Sequence, residues 1–387
     1  MPEYTLQSDH ASVIAIDQHA RSMTLCALDL AAGETRAGRL TDCPSALQVL
    51  DWASWAAEPR RFVYESGPCG FQLARDLLAL GQRCDVIAVT SIPRSTSDKQ
   101  RKDDRRDAES LLSAVTAQNS KCRAVYIPSG EAEAARDLVR AYYDLVLAMK
   151  RLKMQFSAML LRHGHVWNER TAAGNLKGTW TRDYIAWASS IELGQPAADR
   201  ALKVYLEDVL TSVKRCQQVK AECLELSETP RFKPYVDALS RLKGVDRITA
   251  LTYTATMDDF SRFANGRSVS SYFGLTPGRH DSGEKTGRNG RITKAGDTTV
   301  RKAVVEGLAS LPNFNGQPKW LPKGCRVSAA VEAEAIRCNQ RNARRYRDLV
   351  EAGKKANVAK IAVAKELVRE MWVLGLMVQR ELEAGAL

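Results

Sequence analysis

Four acidic residues in the first third of the chain are placed where they could together hold a metal ion. Asp17 and Glu65 each end an apolar, strand-like run, and Asp104 and Asp107 begin a segment with amphipathic helical spacing. Carboxylates that converge on one place repel one another unless divalent cations neutralise them, and oxygen-only ligands favour Mg²⁺ or Mn²⁺. Such ions usually act on phosphate groups. The sequence therefore predicts a Mg²⁺ site, with Mn²⁺ as the alternative ion, whose chemistry is phosphoryl transfer.

Helical spacing favours Asp104 over its neighbour Asp103. Four apolar positions mark the buried stripe of this helix: Ala108, Leu111, Leu112 and Val115. At about 3.6 residues per turn, Asp104 projects near the centre of that stripe, Asp107 to one side and Asp103 further away. A carboxylate on a buried stripe is costly unless a partner pairs with it. Three neighbouring cations leave a purely structural pairing open: Lys102, Arg105 and Arg106.

A second group of reactive residues occupies the glycine-rich loop 278–296. Ser282 lies there among five basic residues: Arg279, Lys285, Arg288, Arg291 and Lys294. A serine that attacks phosphorus needs cations to stabilise the charge on the phosphoryl oxygens, and glycines let the backbone approach a strand closely. The same residues also fit plain phosphate binding by a solvated loop, in which Ser282 would be only a turn residue.

Composition indicates a nucleic-acid partner and a reducing compartment. The chain has 387 residues and a net charge of +12, from 57 Lys+Arg against 45 Asp+Glu, which suits a polyanion. Its nine cysteines are odd in number and form no Cys-x-x-Cys pair, so we expect reduced thiols and a cytoplasmic protein. We expect no signal peptide, and charges interrupt the most apolar stretch, 361–378, which argues against a membrane span. A Gly-x-x-x-x-Gly-Lys-Ser/Thr phosphate loop is absent from the sequence.

The first 127 residues alternate between strand and helix patterns. We predict strands at 12–17, 23–28, 36–40, 62–65, 84–89 and 123–127, and helices at 44–57, 71–80 and 102–117. Leu47, Leu50 and Trp55 are candidate core residues of the first helix. This is the element order of the ribonuclease H-like fold, in which acidic residues from the first strand, the fourth strand and a later helix meet. Taken alone, Asp17 could be a turn residue and Glu65 a solvated carboxylate at the end of a strand. Together with Asp104 and Asp107, and in the order that this fold requires, they are a more specific indication of a metal site.

The rest of the chain is mainly helical in pattern. Segments 131–165 and 197–228 predict an antiparallel helical pair with an aromatic insertion between the two helices. We expect this pair to serve as a spacer or dimerisation arm. Residues 239–256 resemble a helix-hairpin-helix, although the turn Gly244-Val245-Asp246 departs from the usual pattern and would place Asp246 in an unusual backbone conformation. Asp297 is a candidate cap of a helix at 298–308, and two helices broken near Gly353 fill 326–387. These patterns predict domains at 1–130, 131–232 and 233–387.

Taken in order, these motifs resemble a known family across nearly the whole chain. The matching segments are Ile16-Asp17, Glu65-Ser66-Gly67, Lys102 to Ala108, Phe273 to Pro277, Ser282-Gly283, Gly290 to Gly296, Arg301, and the helix from Ala356 to Trp372. Together they are similar to the DEDD-type recombinases of insertion sequences of the one-ten class. That class includes the bridge-RNA-guided recombinases and the related pilin-gene invertase.

This resemblance implies a fold and a mechanism. The chain would combine an α/β, RuvC-like (ribonuclease H-like) domain with a helical coiled-coil arm and a mostly helical transposase domain. Mg²⁺ would be held by Asp17, Glu65, Asp104 and Asp107, and Ser282 would be the nucleophile that links covalently to DNA. The basic residues of the two motifs and Arg301 would contact nucleic acid. The partners would be donor and target DNA, a structured non-coding guide RNA, and further copies of the chain in dimers and tetramers, in the cytoplasm of a bacterium at the nucleoid.

Two other classes of function remain open at this stage. A metal-dependent, structure-specific DNA nuclease of the junction-resolvase kind would use the same carboxylates with water as the nucleophile, so Ser282 would be incidental. A non-catalytic RNA-binding protein would use only the basic loops, but it would have no use for clustered carboxylates.

Overall fold

The structure, a computed structural model, describes residues 10–93, 103–279, 289–313 and 324–385. The chain forms two compact units, residues 1–128 and 129–387.

The first unit is built on one six-stranded sheet. Its strands are β1 (Ser12–Gln18), β2 (Met23–Asp29), β3 (Thr35–Leu40), β4 (Arg60–Glu65), β5 (Arg83–Ile87) and β6 (Ala124–Val125). They lie in the order β3-β2-β1-β4-β5-β6. Strands β1, β4 and β5 run parallel to one another, whereas β2, β3 and β6 each pair antiparallel with their neighbours. Helices α1 (Ala46–Trp52), α2 (Gln72–Ala79) and α3 (Asp104–Thr116) complete the unit.

Strand alternation divides the core of this unit between the two faces of the sheet. On β1, Ile14 and Ile16 pack with the buried residues of α1 and α2. Val13 and Ala15 face the other way and pack with the buried stripe of α3. Since successive side chains of a strand point to opposite faces, the next odd-numbered position, Asp17, belongs to the face that α3 covers.

The predicted order of strands and helices in this unit is confirmed, and so is the mixed α/β class. One predicted core residue is wrong: Leu47 is 63% exposed, because α1 is shorter than expected and turns its buried side, Ala46 and Val49, to the sheet. Leu50 and Trp55 pack against the core as partly buried residues.

The second unit begins with two long helices, α4 (Gly130–Arg162) and α6 (Pro196–Ser227), which flank the short helix α5 (Arg182–Ser189). Val139, near the start of α4, shares a core with Cys223, near the end of α6. Phe156, near the end of α4, shares another core with Leu202 at the start of α6. The two helices therefore pack antiparallel, as their sequence pattern predicts. The aromatic residues between them pack together on α5, with Trp167 and Trp187 ring centroids 5.2 Å apart.

The helices among the remaining elements of the second unit share one large core, and the strand pair reaches it through Ile292. These elements are α7 (Lys233–Leu239), α8 (Arg247–Met257), α9 (Gly266–Tyr272), the strand pair β7 (Pro277–Arg279) and β8 (Asn289–Ile292), α10 (Thr298–Gly307), α11 (Ala329–Glu351) and α12 (Ala356–Glu383). The cap at Asp297 is confirmed, since its carboxylate accepts a hydrogen bond from the N–H of Val300. The break between the last two helices at Gly353 is confirmed as well.

The helix-hairpin-helix segment differs in detail from its prediction. Its first helix ends at Leu239, so residues 240–243 form a turn rather than a helix. Gly244, with φ of +88°, takes the left-handed conformation that was expected at Asp246. Asp246 has ordinary extended backbone and caps α8 by accepting from the N–H of Thr249. Its carboxylate is therefore engaged by the helix.

Among the residues that the structure describes, no helix is both long enough and apolar enough to cross a bilayer.

Candidate metal centre

Two neighbouring parallel strands place the first two acidic residues side by side. Ile16 of β1 pairs with Tyr64 of β4, so Asp17 and Glu65 each lie one position beyond the same pair. Both follow the odd-numbered alternation that points to α3, because Val63 packs with the stripe of that helix. The sheet register therefore directs both carboxylates to one face at the ends of adjacent strands.

The start of α3 brings the third and fourth acidic residues to this face. Asp103 is the N-cap, and its side chain accepts from the N–H of Arg105. Asp104 and Asp107 then fall in the first turn, where the helix dipole favours negative charge. Asp103 therefore caps the helix, whereas Asp104, the residue that helical spacing favours, faces the sheet.

Asp17, Asp104 and His19 form a compact group of ligand atoms. His19 Nε2 lies 3.0 Å from Oδ2 of Asp17 and 3.3 Å from Oδ1 of Asp104. One donor atom from each of the three residues lies within 4.8 Å of the others. All three side chains are partly exposed, at 21% for Asp17, 34% for Asp104 and 41% for His19. A ligand from solvent can therefore reach the donor atoms.

The pKa of the Asp17 carboxyl group is raised in this site. Burial raises the pKa of Asp17, and the neighbouring charges of Asp107 and Asp104 raise it further, whereas His19 opposes the shift. Repulsion of this kind is what a divalent cation relieves, and carboxylates with an imidazole are an ordinary donor set for one. The residues present therefore fit a divalent metal.

Among the described residues, Glu65 and Asp107 lie outside the group of three. Asp107 is close enough to Asp17 to raise its pKa, and it is partly buried on α3. Glu65 shares the strand-end position described above and is also partly buried. Their assignment as metal ligands stays a prediction.

A cavity lined by two arginines and two aspartates, Asp103 and Asp104, adjoins the acidic group. It has a volume of about 660 Å³, and its lining includes Thr24, Arg39, Asp104 and Arg105. Arg39 pairs with Thr24 across β2 and β3, on the same face as α3. Arg105 is exposed and forms an ion pair with Glu109 at 2.9 Å. The cavity thus places two guanidinium groups beside the carboxylates, an arrangement that suits a phosphate oxygen.

The predicted nucleophile, Ser282, lies outside the described residues, as do Lys102, Lys285 and Arg288. The side chain of Arg279 is likewise undescribed. Of the other basic residues assigned to nucleic acid, Arg106, Arg291 and Lys294 are exposed. Their role in binding stays a prediction.

Arg301 is partly buried and hydrogen-bonded within the second unit, and its assignment to nucleic acid stays a prediction. Its guanidinium donates to the carbonyls of Phe273, at 3.0 Å, and Ala295, at 2.7 Å. It also donates to the hydroxyl of Thr298 at 3.2 Å. These bonds tie Phe273, just before the glycine-rich loop 278–296 (the serine loop), to Ala295 at its end, so Arg301 holds the base of that loop together.

Two glycines allow the same segments to approach each other. Gly274 and Gly296 have φ of +64° and +67°. A Cβ on Gly274 would lie 2.3 Å from the backbone of Ala295, and a Cβ on Gly296 would lie 1.8 Å from the carbonyl oxygen of Tyr272. Only glycine fits at either position. The base of the serine loop is therefore a tightly packed backbone junction.

Sequence reasoning missed His19 and Arg39. A weak signal for His19 existed, because the spacing Asp17-x-His19 puts both side chains on one side of an extended chain. Arg39 had no such signal, since its strand carries basic residues on both faces.

Comparisons with known proteins identify transposases as relatives of this chain. Residues 236–320 match the model of the transposase IS116/IS110/IS902 family, and residues 14–164 match that of the IS110 DEDD transposase. A putative transposase, y4qE, of Sinorhizobium fredii (strain NBRC 101917 / NGR234) is 35% identical over 315 residues, which is 81% of this chain and 74% of that protein. The transposase for insertion sequence element IS1533 of Leptospira borgpetersenii is 27% identical over 54% of this chain and 58% of its own. The transposase for IS1111A of Coxiella burnetii is 25% identical over 55% and 56%.

Proposed function

Since this chain belongs to the IS116/IS110/IS902 family of insertion-sequence transposases, we propose that it cuts and rejoins DNA through a covalent serine intermediate. Transposition of DNA is the activity of the family. The observation that carries our proposal is the convergence of Asp17 and Asp104, with His19, on one edge of the sheet in the unit that matches the DEDD model. The sheet order β3-β2-β1-β4-β5 supports a RuvC-like, ribonuclease H-like domain around them.

The acidic residues would hold the divalent metal that a DEDD-type domain implies. We assign Asp17, Glu65, Asp104 and Asp107 as its ligands and Mg²⁺ as the ion, with Mn²⁺ as a substitute. When bound, such an ion would act as a Lewis acid that stabilises negative charge on the reacting phosphate. Arg39 and Arg105, at the adjoining cavity, would hold the phosphate of the DNA strand.

Ser282 is the proposed nucleophile. Its hydroxyl oxygen attacks phosphorus and loses its proton, the bond from phosphorus to the 3′ oxygen breaks, and the 3′ oxygen takes up a proton. The product is a phosphoserine ester with the 5′ end of the fragment downstream of the cut, and a free 3′ hydroxyl on the fragment upstream of it. A 3′ hydroxyl from the same or the partner DNA then attacks the phosphoserine and releases Ser282. The number of phosphoester bonds is conserved, so the reaction needs no nucleotide triphosphate.

We assign the antiparallel pair α4 and α6 to assembly. By resemblance to the family, it would act as a coiled-coil arm that joins copies of the chain into dimers and tetramers. One copy would supply the carboxylates and another Ser282. The same resemblance assigns a structured bridge RNA from the element as the guide that pairs with donor and target DNA.

The test of the nucleophile is to trap the covalent species. The full chain, with RNA that co-purifies from its host, is incubated with DNA carrying the ends of its own element and then denatured. We expect a protein–DNA adduct that mass spectrometry maps to Ser282, and neither Ser282→Ala nor Asp104→Asn should form it. Melting temperatures equal to that of the parent protein would show that both variants fold.

Each alternative has its own outcome in this experiment. Recombination by Ser282→Ala at a rate near that of the parent would refute the serine assignment. Strand cutting by Ser282→Ala that leaves free ends would select the metal-dependent nuclease with water as nucleophile. Sequencing of the co-purified RNA tests the guide assignment, which predicts one structured RNA encoded beside the transposase gene.

A further inference from the structure

We infer that His19 is a nitrogen ligand of the metal site and shifts its preference from Mg²⁺ towards Mn²⁺. The inference rests on the proposed function, because it concerns the same site, and it adds a residue outside the four acidic positions. The four carboxylates alone predict no shift in preference from Mg²⁺ to Mn²⁺, whereas a nitrogen ligand does.

The positions of the donor atoms carry the inference. In octahedral coordination with ligand distances of about 2.1 Å, neighbouring ligand atoms lie about 3 Å apart. The Nε2 atom of His19 lies 3.0 Å from Asp17 Oδ2 and 3.3 Å from Asp104 Oδ1. The ring nitrogen is therefore spaced from one oxygen of each carboxylate as a ligand to the same ion would be.

The elements on either side hold His19 in this place. Its backbone N–H donates to the carbonyl of Ser22 at 2.9 Å, which closes the turn between β1 and β2. Asp17 lies two positions earlier on the same face, and Asp104 is fixed by the capped start of α3. Three separate constraints thus bring the imidazole and the two carboxylates together, so the group is part of the fold.

A purely structural role would be a hydrogen bond or ion pair between His19 and the two aspartates. That role accounts for the distances in the absence of metal, but it predicts no change in the ligands of a bound ion. The two roles differ in chemistry. Imidazole nitrogen binds the divalent transition metals, of which Mn²⁺ is the weakest, more strongly than it binds Mg²⁺, which favours oxygen and retains water. A ligand role therefore predicts a cation preference that depends on His19.

The test uses the full chain with metal alone, so that DNA cutting plays no part in it. Mn²⁺ and Mg²⁺ affinities are measured by calorimetry, and electron spin-echo modulation of bound Mn²⁺ reports directly coordinated ¹⁴N. We expect nitrogen modulation in the parent protein and its loss in His19→Ala. Mn²⁺ affinity should fall about tenfold or more, with a smaller change for Mg²⁺. His163→Ala, at an exposed histidine beyond α4, is the matched control and should change neither quantity.

Asp104→Asn separates this inference from the proposed site as a whole. If Asp104→Asn weakens Mn²⁺ binding while His19→Ala leaves affinity and nitrogen modulation unchanged, the metal site stands and the ligand role of His19 is refuted. If Asp104→Asn also binds Mn²⁺ as the parent does, the proposed metal site itself is wrong. His19→Asn, which retains a polar side chain of smaller reach, should lose the nitrogen signal as His19→Ala does if coordination is the role.

Discussion

Arg39 Nη2 lies 3.9 Å from Oδ2 of Asp104, across the space between β3 and the start of α3. The same guanidinium donates to the hydroxyl of Ser22 at 3.4 Å. Arg39 is 59% exposed, so it can turn towards a ligand in the adjoining cavity at little cost. A cation that faces both the proposed metal ligand Asp104 and an open cavity is placed to bind a phosphate oxygen of DNA.

Replacement of Arg39 by Ala should slow strand cutting about ten- to a hundredfold, since a hydrogen bond to a charged group contributes about 1.5–3 kcal/mol. Single-turnover cutting measures this effect. The matched control is Arg36→Ala, because Arg36 belongs to the same strand but lies over the ring of Trp55 on the opposite face and pairs with Glu34. Faster cutting or tighter metal binding by Arg39→Ala would show instead that Arg39 only neutralises Asp104.

The adjacent aspartates of the α3 start should behave differently when each is replaced by Asn. Asp104→Asn should lower the cutting rate more than about a hundredfold while DNA binding persists, because it removes a proposed ligand. Asp103→Asn should stay within about twofold, since Asn caps a helix as well as Asp. Cutting rates and DNA affinities of the two variants are compared side by side. A larger loss in Asp103→Asn would reverse the assignment made from helical spacing.

The junction at the base of the serine loop should not tolerate a side chain at Gly296. Gly296→Ala adds a steric overlap with the carbonyl oxygen of Tyr272 to the strain of a positive φ, so we expect a loss of about 3 kcal/mol or more in the free energy of unfolding. Gly353→Ala is the control, because Gly353 has φ of +75° but nothing within 4 Å of its added Cβ. That control should lose only about 1 kcal/mol. Urea denaturation of both variants measures the difference, and equal losses would argue against the overlap.

The carboxylate of Asp29 should make the first unit sensitive to acid. It accepts from the N–H groups of Ala31, Ala32 and Ala57 at 2.9, 3.0 and 3.0 Å, and the bonds from Ala32 and Ala57 in particular lower the pKa of Asp29. Because the folded pKa is below the ordinary value of about 3.9, the stabilisation is fully present above that value and is lost as the pH falls through the folded pKa. Asp29→Asn should therefore lower the melting temperature at neutral pH, with a difference from the parent that shrinks below about pH 4.

Asp51→Asn provides the control for this pH dependence. Asp51 is an exposed carboxylate on α1, in the same unit, and the side chain that caps this helix is that of Ser45. Its replacement should leave the melting curve close to that of the parent at every pH. A pH-independent difference for Asp29→Asn would show that the loss comes from packing rather than from ionisation.

The sequence by itself determined most of the elements of the first unit and selected the four acidic positions as candidate metal ligands. Apolar alternation located β1 and β4, and helical spacing located the buried stripe of α3, because both patterns depend only on how a single element repeats along its own axis. The cap at Asp297 and the break at Gly353 were equally local, since each depends on a few neighbouring backbone groups. Family resemblance then supplied the roles of Ser282 and of the guide RNA, which remain proposals.

Only the tertiary structure decided which side chains from different elements meet. His19 and Arg39 join Asp104 because strand pairing and the packing of α3 set distances between segments that are far apart in the chain. The packing of elements also explains why Leu47 is exposed to solvent. It likewise explains why Arg301 donates hydrogen bonds to the carbonyls of Phe273 and Ala295. A repeat pattern fixes the face of a residue on its own element, whereas its partner depends on how the elements pack, and no spacing along the chain encodes that distance.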